Sequence, residues 1–403
     1  MQYITEGNDG FMFDVGSLYH WLEGLADLRH RRGKRYPLPI ALLMMILAKL
    51  AGEDEPRGMA GWLRHRRELV CRYLNFGRQT TPHDRTIGRI MAQVVEVEAL
   101  DQIVGDYLLS IQPPEPEKGD SSSQSERRWV VINLDGKTLR GTIPTGENQG
   151  LHILAAYLPD KGIVLMQLEV GTKDNEIKIA PLLGEKIDIT GKVVTGDALH
   201  TQRGMAGQIV EAGGDYLLIA KGNQPNTETA IAQLFTEPEM RPGFHAPPND
   251  FQYHTTTHKG HGRLETRQIT TSSMLNDYLD WPHLAQVFQI KRTTVELKTG
   301  KRREETVYGF TSLTTAEATP ADLLTINRRH WGIENGLHYR RDVTFKEDAS
   351  KVDSWPAQHV MSSLNNLVLG LILRYQVDPT VPDERRRYCA QPEVALRLLT
   401  RVV

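Results

Sequence analysis

The sequence predicts a mixed α/β protein, with a helical N-terminal domain ahead of a mixed sheet that a β-rich insertion interrupts. Three observations carry that prediction. Apolar residues recur at helical spacing before position 111. Short β-branched runs then alternate with helical segments from Trp129 onward. Alternating polar and apolar segments occupy 236–318. Residues 112–128, QPPEPEKGDSSSQSERR, read as a linker because Pro, Ser, Gly and charge dominate and no apolar anchor is present. The boundaries that follow are 1–111 for a helical domain, 112–128 for the linker, 129–235 with 319–376 for the core, 236–318 for the insertion and 377–403 for a C-terminal tail.

The N-terminal helices come first. Pro37 and Pro39 precede the apolar stretch IALLMMILAKLAG, which ends at Gly52, a residue suited to close a helix. The run is too short to span a bilayer and reads as a buried helix. MAGWLRHRRELVCRYL places Met59, Trp62, Leu63, Val70, Tyr73 and Leu74 close to a 3.6-residue period. Thr81 or Asp84 can cap a further helix that presents Arg85 and Arg89 on one face. Short helices, tight turns and a basic final helix suggest a helix-turn-helix-like unit, although many small bundles share that outline.

Beyond the linker, Trp129–Leu134, 151–158 and 162–170 read as strands, the last two joined by the turn Pro159–Gly162. EIKIAPLL (176–183) reads as a short helix, KVVTGD as a strand, TQRGMAGQIVEAGG as a helix ending in glycine and DYLLIA as a strand. Three strands followed by helix–strand–helix–strand match a ribonuclease-H-like order, which other mixed sheets share. FQYHTTT, LETRQIT, VFQIKRT and ETVYGFTS make up the insertion. They suit a small sheet of their own, with cationic turns at Lys259, Arg263 and Arg267 and at Lys298, Lys301, Arg302 and Arg303. Thr319–Pro320 opens a long helix running to Val343, and a second apolar helix covers 356–375.

The chain has 403 residues, 39% hydrophobic and 24% charged, which excludes a disordered chain, a collagen and a coiled-coil rod. The acidic, polar opening MQYITEGNDG is not a signal peptide, and Cys71 and Cys389 form no CxxC, so a reducing cytoplasm is expected. Net charge is −2, yet charge is segregated. From Arg29 to Arg89 fourteen Lys/Arg face five Asp/Glu, which favours a polyanionic partner or, equally, a solvated face.

Asp135 and Asp197 each follow directly on a predicted strand of one sheet. Either alone reads as a turn residue; two together at strand ends are a catalytic placement. Leu323, Ile326, Ile333 and Leu337 mark the apolar face of the long helix, and Asn327, His330, Glu334, His338 and Arg341 line an adjacent stripe. That stripe suits a metal or a phosphate, or else a solvated polar face. Three carboxylates on separate elements are what two-metal phosphoryl transfer needs. Gly136-Lys137-Thr138 resembles the end of a P-loop, but position 131 is Val. His254, His258 and His261 sit in a glycine-rich hairpin with no evident fourth ligand.

Asp135-Gly-Lys-Thr-Leu-Arg-Gly141, Thr195-Gly-Asp-Ala-Leu-His200, Lys259-Gly-His-Gly-Arg-Leu-Glu265, His330-Trp-Gly-Ile-Glu-Asn335 and Asp342-Val-Thr-Phe-Lys-Glu-Asp348 occur in order. They resemble the H-repeat-associated insertion-sequence transposases, DDE enzymes with a ribonuclease-H-like core. The resemblance covers nearly the whole chain. It implies that Asp135, Asp197 and Glu334 are a catalytic triad holding two Mg²⁺ ions, for which Mn²⁺ can substitute. It also implies cleavage and joining of DNA at element ends and target, by a homodimer on DNA in the bacterial cytoplasm and nucleoid, with no membrane partner. Broader relatives carry Tyr, Arg, Glu and Lys where this chain has Asn327, His330, Glu334 and Arg341. Lys137, Arg140, His200, Lys221, Arg85, Arg89, His330 and Arg341 are the candidate DNA contacts. A DNA-binding relic and a stand-alone metal-dependent nuclease are the alternatives.

Overall fold

The computed structural model describes residues 17–30, 33–111, 129–143, 150–170, 185–236, 250–260, 262–352 and 354–400. The expected linker at 112–128 and the expected helix at 176–183 lie outside the described residues.

Six helices build the N-terminal region: α1 (Leu18–Leu22), α2 (Leu38–Leu50), α3 (Pro56–His65), α4 (Arg67–Leu74), α5 (Asp84–Gln93) and α6 (Val97–Ser110). Every residue of α2 except Pro39 is buried, as an all-round apolar helix demands. The basic stretch after Met59 forms two helices, because the backbone leaves helical geometry at Arg66 (φ −115°, ψ 22°). His83 caps α5, rather than Thr81 or Asp84, accepting a hydrogen bond from the Arg85 amide.

The sheet is built from β1 (Val131–Thr138), β2 (His152–Leu158), β3 (Ile163–Val170), β4 (Val193–Gly196), β5 (Asp215–Ala220), β6 (Gln252–Gly260), β7 (Arg263–Ser272), β8 (Gln286–Glu296) and β9 (Arg302–Thr311). The strand order is β3-β2-β1-β4-β5-β9-β8-β7-β6. The β1–β4 and β4–β5 pairs are parallel and the others antiparallel. The insertion therefore does not make a sheet of its own. β9 pairs with β5 from Leu217↔Thr311 to Ala220↔Tyr308, so the four inserted strands extend the core sheet. Pairing to β5 satisfies backbone groups that a detached sheet would leave at an open edge.

Helices α7 (Arg203–Glu211) and α8 (Pro225–Leu234) connect to the sheet through β5, and α8 also packs on β8 and β9. Helix α9 (Pro320–His330) crosses the sheet against β1, β4, β5, β6 and β7. A capping box between Thr319 and Asp322, with Pro320 in the first turn, starts it. The long helix expected to reach Val343 is interrupted: α9 ends at His330, a π-helical turn spans Ile333–His338, and α10 (Tyr339–Val343) follows.

Helix α11 (Trp355–Tyr375) is the spine, buried without interruption from Ala357 to Ile372 against α2, α5, α6 and β3. A buried polar network fastens these parts. Asp101 of α6 bonds His359 Nε2 at 3.0 Å and accepts from Gln167 Nε2 of β3 at 3.0 Å. Gln167 Oε1 accepts from Ser362 and Asn366 of α11. Gly105 lets α6 lie on β3, where a Cβ would fall 2.1 Å from the Leu165 carbonyl oxygen. The N-terminal helices thus share one hydrophobic core with α11 and β3. A fragment ending at 111 would expose those faces to water.

The expected C-terminal tail, 377–403, is instead largely helical: α12 (Val381–Ala390) and α13 (Pro392–Thr400). Both pack on α2. Arg385 donates to the Lys49 carbonyl and pairs with Asp54 at 2.7 Å, and its guanidinium stacks 4.5 Å from the Phe345 ring. Lys49, fully buried, shares Asp54 at 3.1 Å. Among the described residues no helix is long and apolar enough to cross a membrane.

Candidate active site

Strand alternation prepares the site. Val131, Asn133 and Asp135 project from one face of β1, and Val193, Thr195 and Asp197 from the same face of β4 and its extended continuation. Val131 and Val193 lie in the apolar cluster with Leu323, Leu324 and Ile326 of α9, so this is the α9 face of the sheet. Leu134 pairs with Gly196 in the parallel ladder. Asp135 and Asp197 are the next residues on these two adjoining strands and stand side by side.

The side chains between the apolar cluster and the carboxylates lock α9 to the sheet. Asn133 Nδ2 donates to the carbonyls of Arg329 at 2.7 Å and His330 at 3.1 Å, so its Oδ1 is the acceptor for Thr195 Oγ1 at 2.9 Å. Thr195 has spent its proton there. The contact of 3.1 Å between Thr195 Oγ1 and His330 Nδ1 must then be donated by the imidazole. This places a proton on Nδ1. Burial holds His330 below the ordinary imidazole pKa, against the opposing pull of Asp135 and Asp197, and His200 adds to the lowering.

The π-helical turn carries Glu334, exposed to solvent, and His338, whose Nε2 lies 3.2 Å from Asp135 Oδ2. Such turns recur at functional sites because the wider ring re-aims side chains. Glycines let it sit on the sheet: a Cβ at Gly332 would fall 2.7 Å from Pro159 Cβ, and one at Gly336 2.7 Å from the Tyr157 hydroxyl. Asp135 Oδ1 accepts from the Gly136 amide at 2.9 Å. Asp197 Oδ1 caps the following 3-10 turn, accepting from the amides of Leu199 and His200.

Strand β1 does not stop before Asp135, as the sequence suggested, but continues through it to Thr138 in its pairing with β2, whereas Asp197 does follow directly on β4. The donor chemistry, carboxylate oxygens on adjoining strands with an imidazole nearby, fits a hard divalent cation. The geometry is not closed into a coordination shell: among the described residues no three His, Cys, Asp or Glu side chains form a group that could hold a metal. Asp135 and Asp197 lie one residue beyond the last parallel pair of β1 and β4, and Glu334 is exposed on the π-helical turn.

The family model for the transposase DDE domain matches residues 129–371, more than half of the chain. The chain belongs to the transposase DDE domain family. A second model, DDE_Tnp_1-associated, matches residues 19–108 of this DDE protein. The "H repeat-associated putative transposase YhhI" of Escherichia coli K12 is 30% identical over 370 residues, covering 90% of this chain and 92% of that protein. The "Putative transposase YncI" of Escherichia coli O157:H7 is 26% identical over 368 residues, with 89% and 87% covered. A piggyBac transposase synaptic complex with hairpin DNA, solved by cryo-EM, superposes with a TM-score of 0.44 at 10% identity, over 96% of this chain and 77% of that one. A superposition that loose adds nothing to the assignment.

Within the DDE domain several expected DNA contacts are placed elsewhere. Lys137 is not free for phosphate: it pairs with Asp342 and lies 3.4 Å from Glu347 and 3.8 Å from Asp348. Arg341 is buried, bonds Glu347 at 2.8 Å and donates to Ser362, so it braces the core instead of facing DNA. His200 is buried behind Asp197, its Nε2 at 4.0 Å from Oδ1. His330 faces the two aspartates. Arg267 of the insertion pairs with Glu265, and Arg302 pairs with Glu304. Arg85, Arg89, Arg140, Lys221, Lys298, Lys301 and Arg303 remain exposed.

Asn133 was not singled out from the sequence, and Thr195 and Glu347 were named only as members of the stretches Thr195–His200 and Asp342–Asp348, with no role of their own. Asn133 carried a signal, as the one amide inside the apolar run WVVINL. No local pattern showed the burial of Glu347, which depends on α11, an element that follows it in the chain and donates from Asn365 to its second oxygen.

Proposed function

We propose that the chain is a DNA transposase that cuts at the ends of its own element and joins the freed 3′-hydroxyl to target DNA. Asp135, Asp197 and Glu334 are its catalytic carboxylates. The observation that carries this reading is the register of β1 and β4, which sets Asp135 beside Asp197 on the face that α9 and the Glu334 turn cover. The first five strands, with β1, β4 and β5 parallel and β2 and β3 antiparallel, support a ribonuclease-H-like core at 129–235 and 319–376. Asp135, Asp197 and Glu334 would hold Mg²⁺ or Mn²⁺, which when bound supplies Lewis-acid stabilisation of the leaving oxygen and activates the attacking hydroxyl. His338 orients the Asp135 carboxylate, and the Asn133–Thr195–His330 bonds fix the helix that aims Glu334. Arg85 and Arg89 on α5, with Arg140 and Lys221, are the exposed cations placed to meet DNA backbone. The working unit is a homodimer on DNA, in the cytoplasm and nucleoid.

The test is cleavage of a duplex carrying the element's ends, followed by joining of pre-cut ends to target DNA. Both steps are expected to require Mg²⁺ or Mn²⁺ and to stop in EDTA. Full activity in EDTA would overturn the reading. Cleavage without joining of pre-cut ends would leave a stand-alone nuclease.

A further inference from the structure

The break at Arg66 does more than divide two helices. It opens a cleft of about 510 Å³ lined by Arg64, Arg66, Arg67 and Arg72, with His65 and Leu69 beside them and Glu68 as the only carboxylate on its wall among the described residues. Arg64, Arg67 and Arg72 are exposed and make no ion pair among the described residues. This sets them apart from Lys137, Arg341 and Arg385, which are all paired. Arg66 forms a fixed floor: its guanidinium lies 4.6 Å from the Trp62 ring, and Nη2 donates to the Cys389 carbonyl of α12 at 3.2 Å. The first turn of α4 lines the same cleft, so the positive end of that helix adds to the guanidinium charges.

Unpaired guanidinium groups converging on one concavity repel each other until an anion enters. Their planar forks match phosphate oxygens bidentately. A cleft with one anchored arginine and three on its rim is suited to adjacent phosphates on a strand. We propose that this cleft is a backbone-phosphate clamp for duplex DNA, gripping the substrate at a place separate from the Asp135–Asp197 pair. The proposal rests on the transposase reading and deepens it. It gives the helical region 19–108 a specific contact of stated chemistry. The clamp reads no bases; it sets the position and orientation of the duplex. Because its floor is tied to the C-terminal helix α12, the clamp is held by the same body as the catalytic domain.

The experiment uses the full chain in EDTA, where binding is separated from cleavage, and follows a fluorescent duplex by anisotropy across a salt series. The variant Arg64→Gln/Arg67→Gln/Arg72→Gln removes three exposed cations and leaves Arg66 and its packing intact. Each lost phosphate contact lowers the slope of log affinity against log salt by about 0.9, so a slope shallower by about 2–3 is expected, with an unchanged melting temperature. Asp135→Asn is expected to keep the wild-type slope. A wild-type slope in the triple variant would overturn the clamp and leave the transposase reading standing. So would saturation of the cleft by inorganic pyrophosphate that leaves duplex binding untouched, because the cleft then takes a small anion. Failure of the unmodified chain to bind duplex at any salt would overturn both.

Discussion

Asp135→Asn and Asp197→Asn are each expected to lower DNA cleavage by roughly 10³-fold or more while DNA binding and melting temperature stay close to wild type. The substitutions are chosen to keep the scaffold. Asparagine at 197 still caps the 3-10 turn through its Oδ1, since Asn and Asp serve equally at such positions. Asparagine at 135 still accepts from the Gly136 amide. What each loses is a negative oxygen facing the reaction. A metal-held carboxylate supports several kcal/mol of transition-state stabilisation, and each 1.36 kcal/mol is tenfold in rate. A single-turnover assay on a labelled duplex, beside thermal unfolding of the same preparations, checks the result. Loss of duplex binding with an intact fold would remove these aspartates from the catalytic role.

Glu347→Ala is expected to be the most damaging substitution for stability, costing about 3–5 kcal/mol in chemical or thermal unfolding, because it strands buried cations. Glu347 is buried between Arg341 and Lys137, and Asn365 donates to its other oxygen at 3.0 Å. Burial alone would raise its carboxyl. The charges of Arg341 and Lys137 and the hydrogen bonds from Arg341 and Asn365 override that and bring it down to about 2. The folded pKa lies below the unfolded value of 4.5. The ionised carboxylate therefore stabilises the fold fully above about pH 4.5, and this contribution is lost as pH falls toward 2. Wild type is expected to lose stability steeply in that window, and Glu347→Ala to lose less across it. Equal acid sensitivity of the two proteins would contradict the assignment.

Local signals made much of this architecture legible. The β-branched run before Asp135, the glycine-ended helix before DYLLIA and the four alternating segments of the insertion all became the expected elements. The carboxylates at Asp135 and Asp197 drew notice because each adjoins a β-branched run, a local feature, yet only Asp197 follows directly on its strand, since β1 continues through Asp135 to Thr138. What the sequence did not disclose is set by long-range packing. Whether β6–β9 form their own sheet depends on the pairing of β9 with β5, which no local pattern encodes. The helix through Glu334 carried a continuous apolar period at Leu323, Ile326, Ile333 and Leu337, all buried. The π-helical turn inside it leaves that period nearly intact, and only Gly332 and Gly336 hint at it. Lys137 and Arg341 were named as candidate DNA contacts as cations within and beside the stretches that carry the resemblance, and that reading had no view of their partners. It could not see Asp342 and Glu347 folding back to pair with them. Residues 377–403 were left as a tail, yet Glu384 and Arg385 within it are buried and paired, through contacts distant in the chain for Arg385.

The central claim, that Asp135 within β1 and Asp197 just past β4 hold the catalytic cation, is tested most directly by a change of metal preference. Asp135→Cys and Asp197→Cys replace a hard oxygen donor with a soft thiolate, which suits Mg²⁺ poorly and accepts Mn²⁺ better. Strand transfer of pre-cut ends by each variant is expected to be absent in Mg²⁺ and partly restored in Mn²⁺, with wild type active in both. Equal activity of a cysteine variant in the two metals, or full activity in Mg²⁺, would contradict direct coordination by these two aspartates.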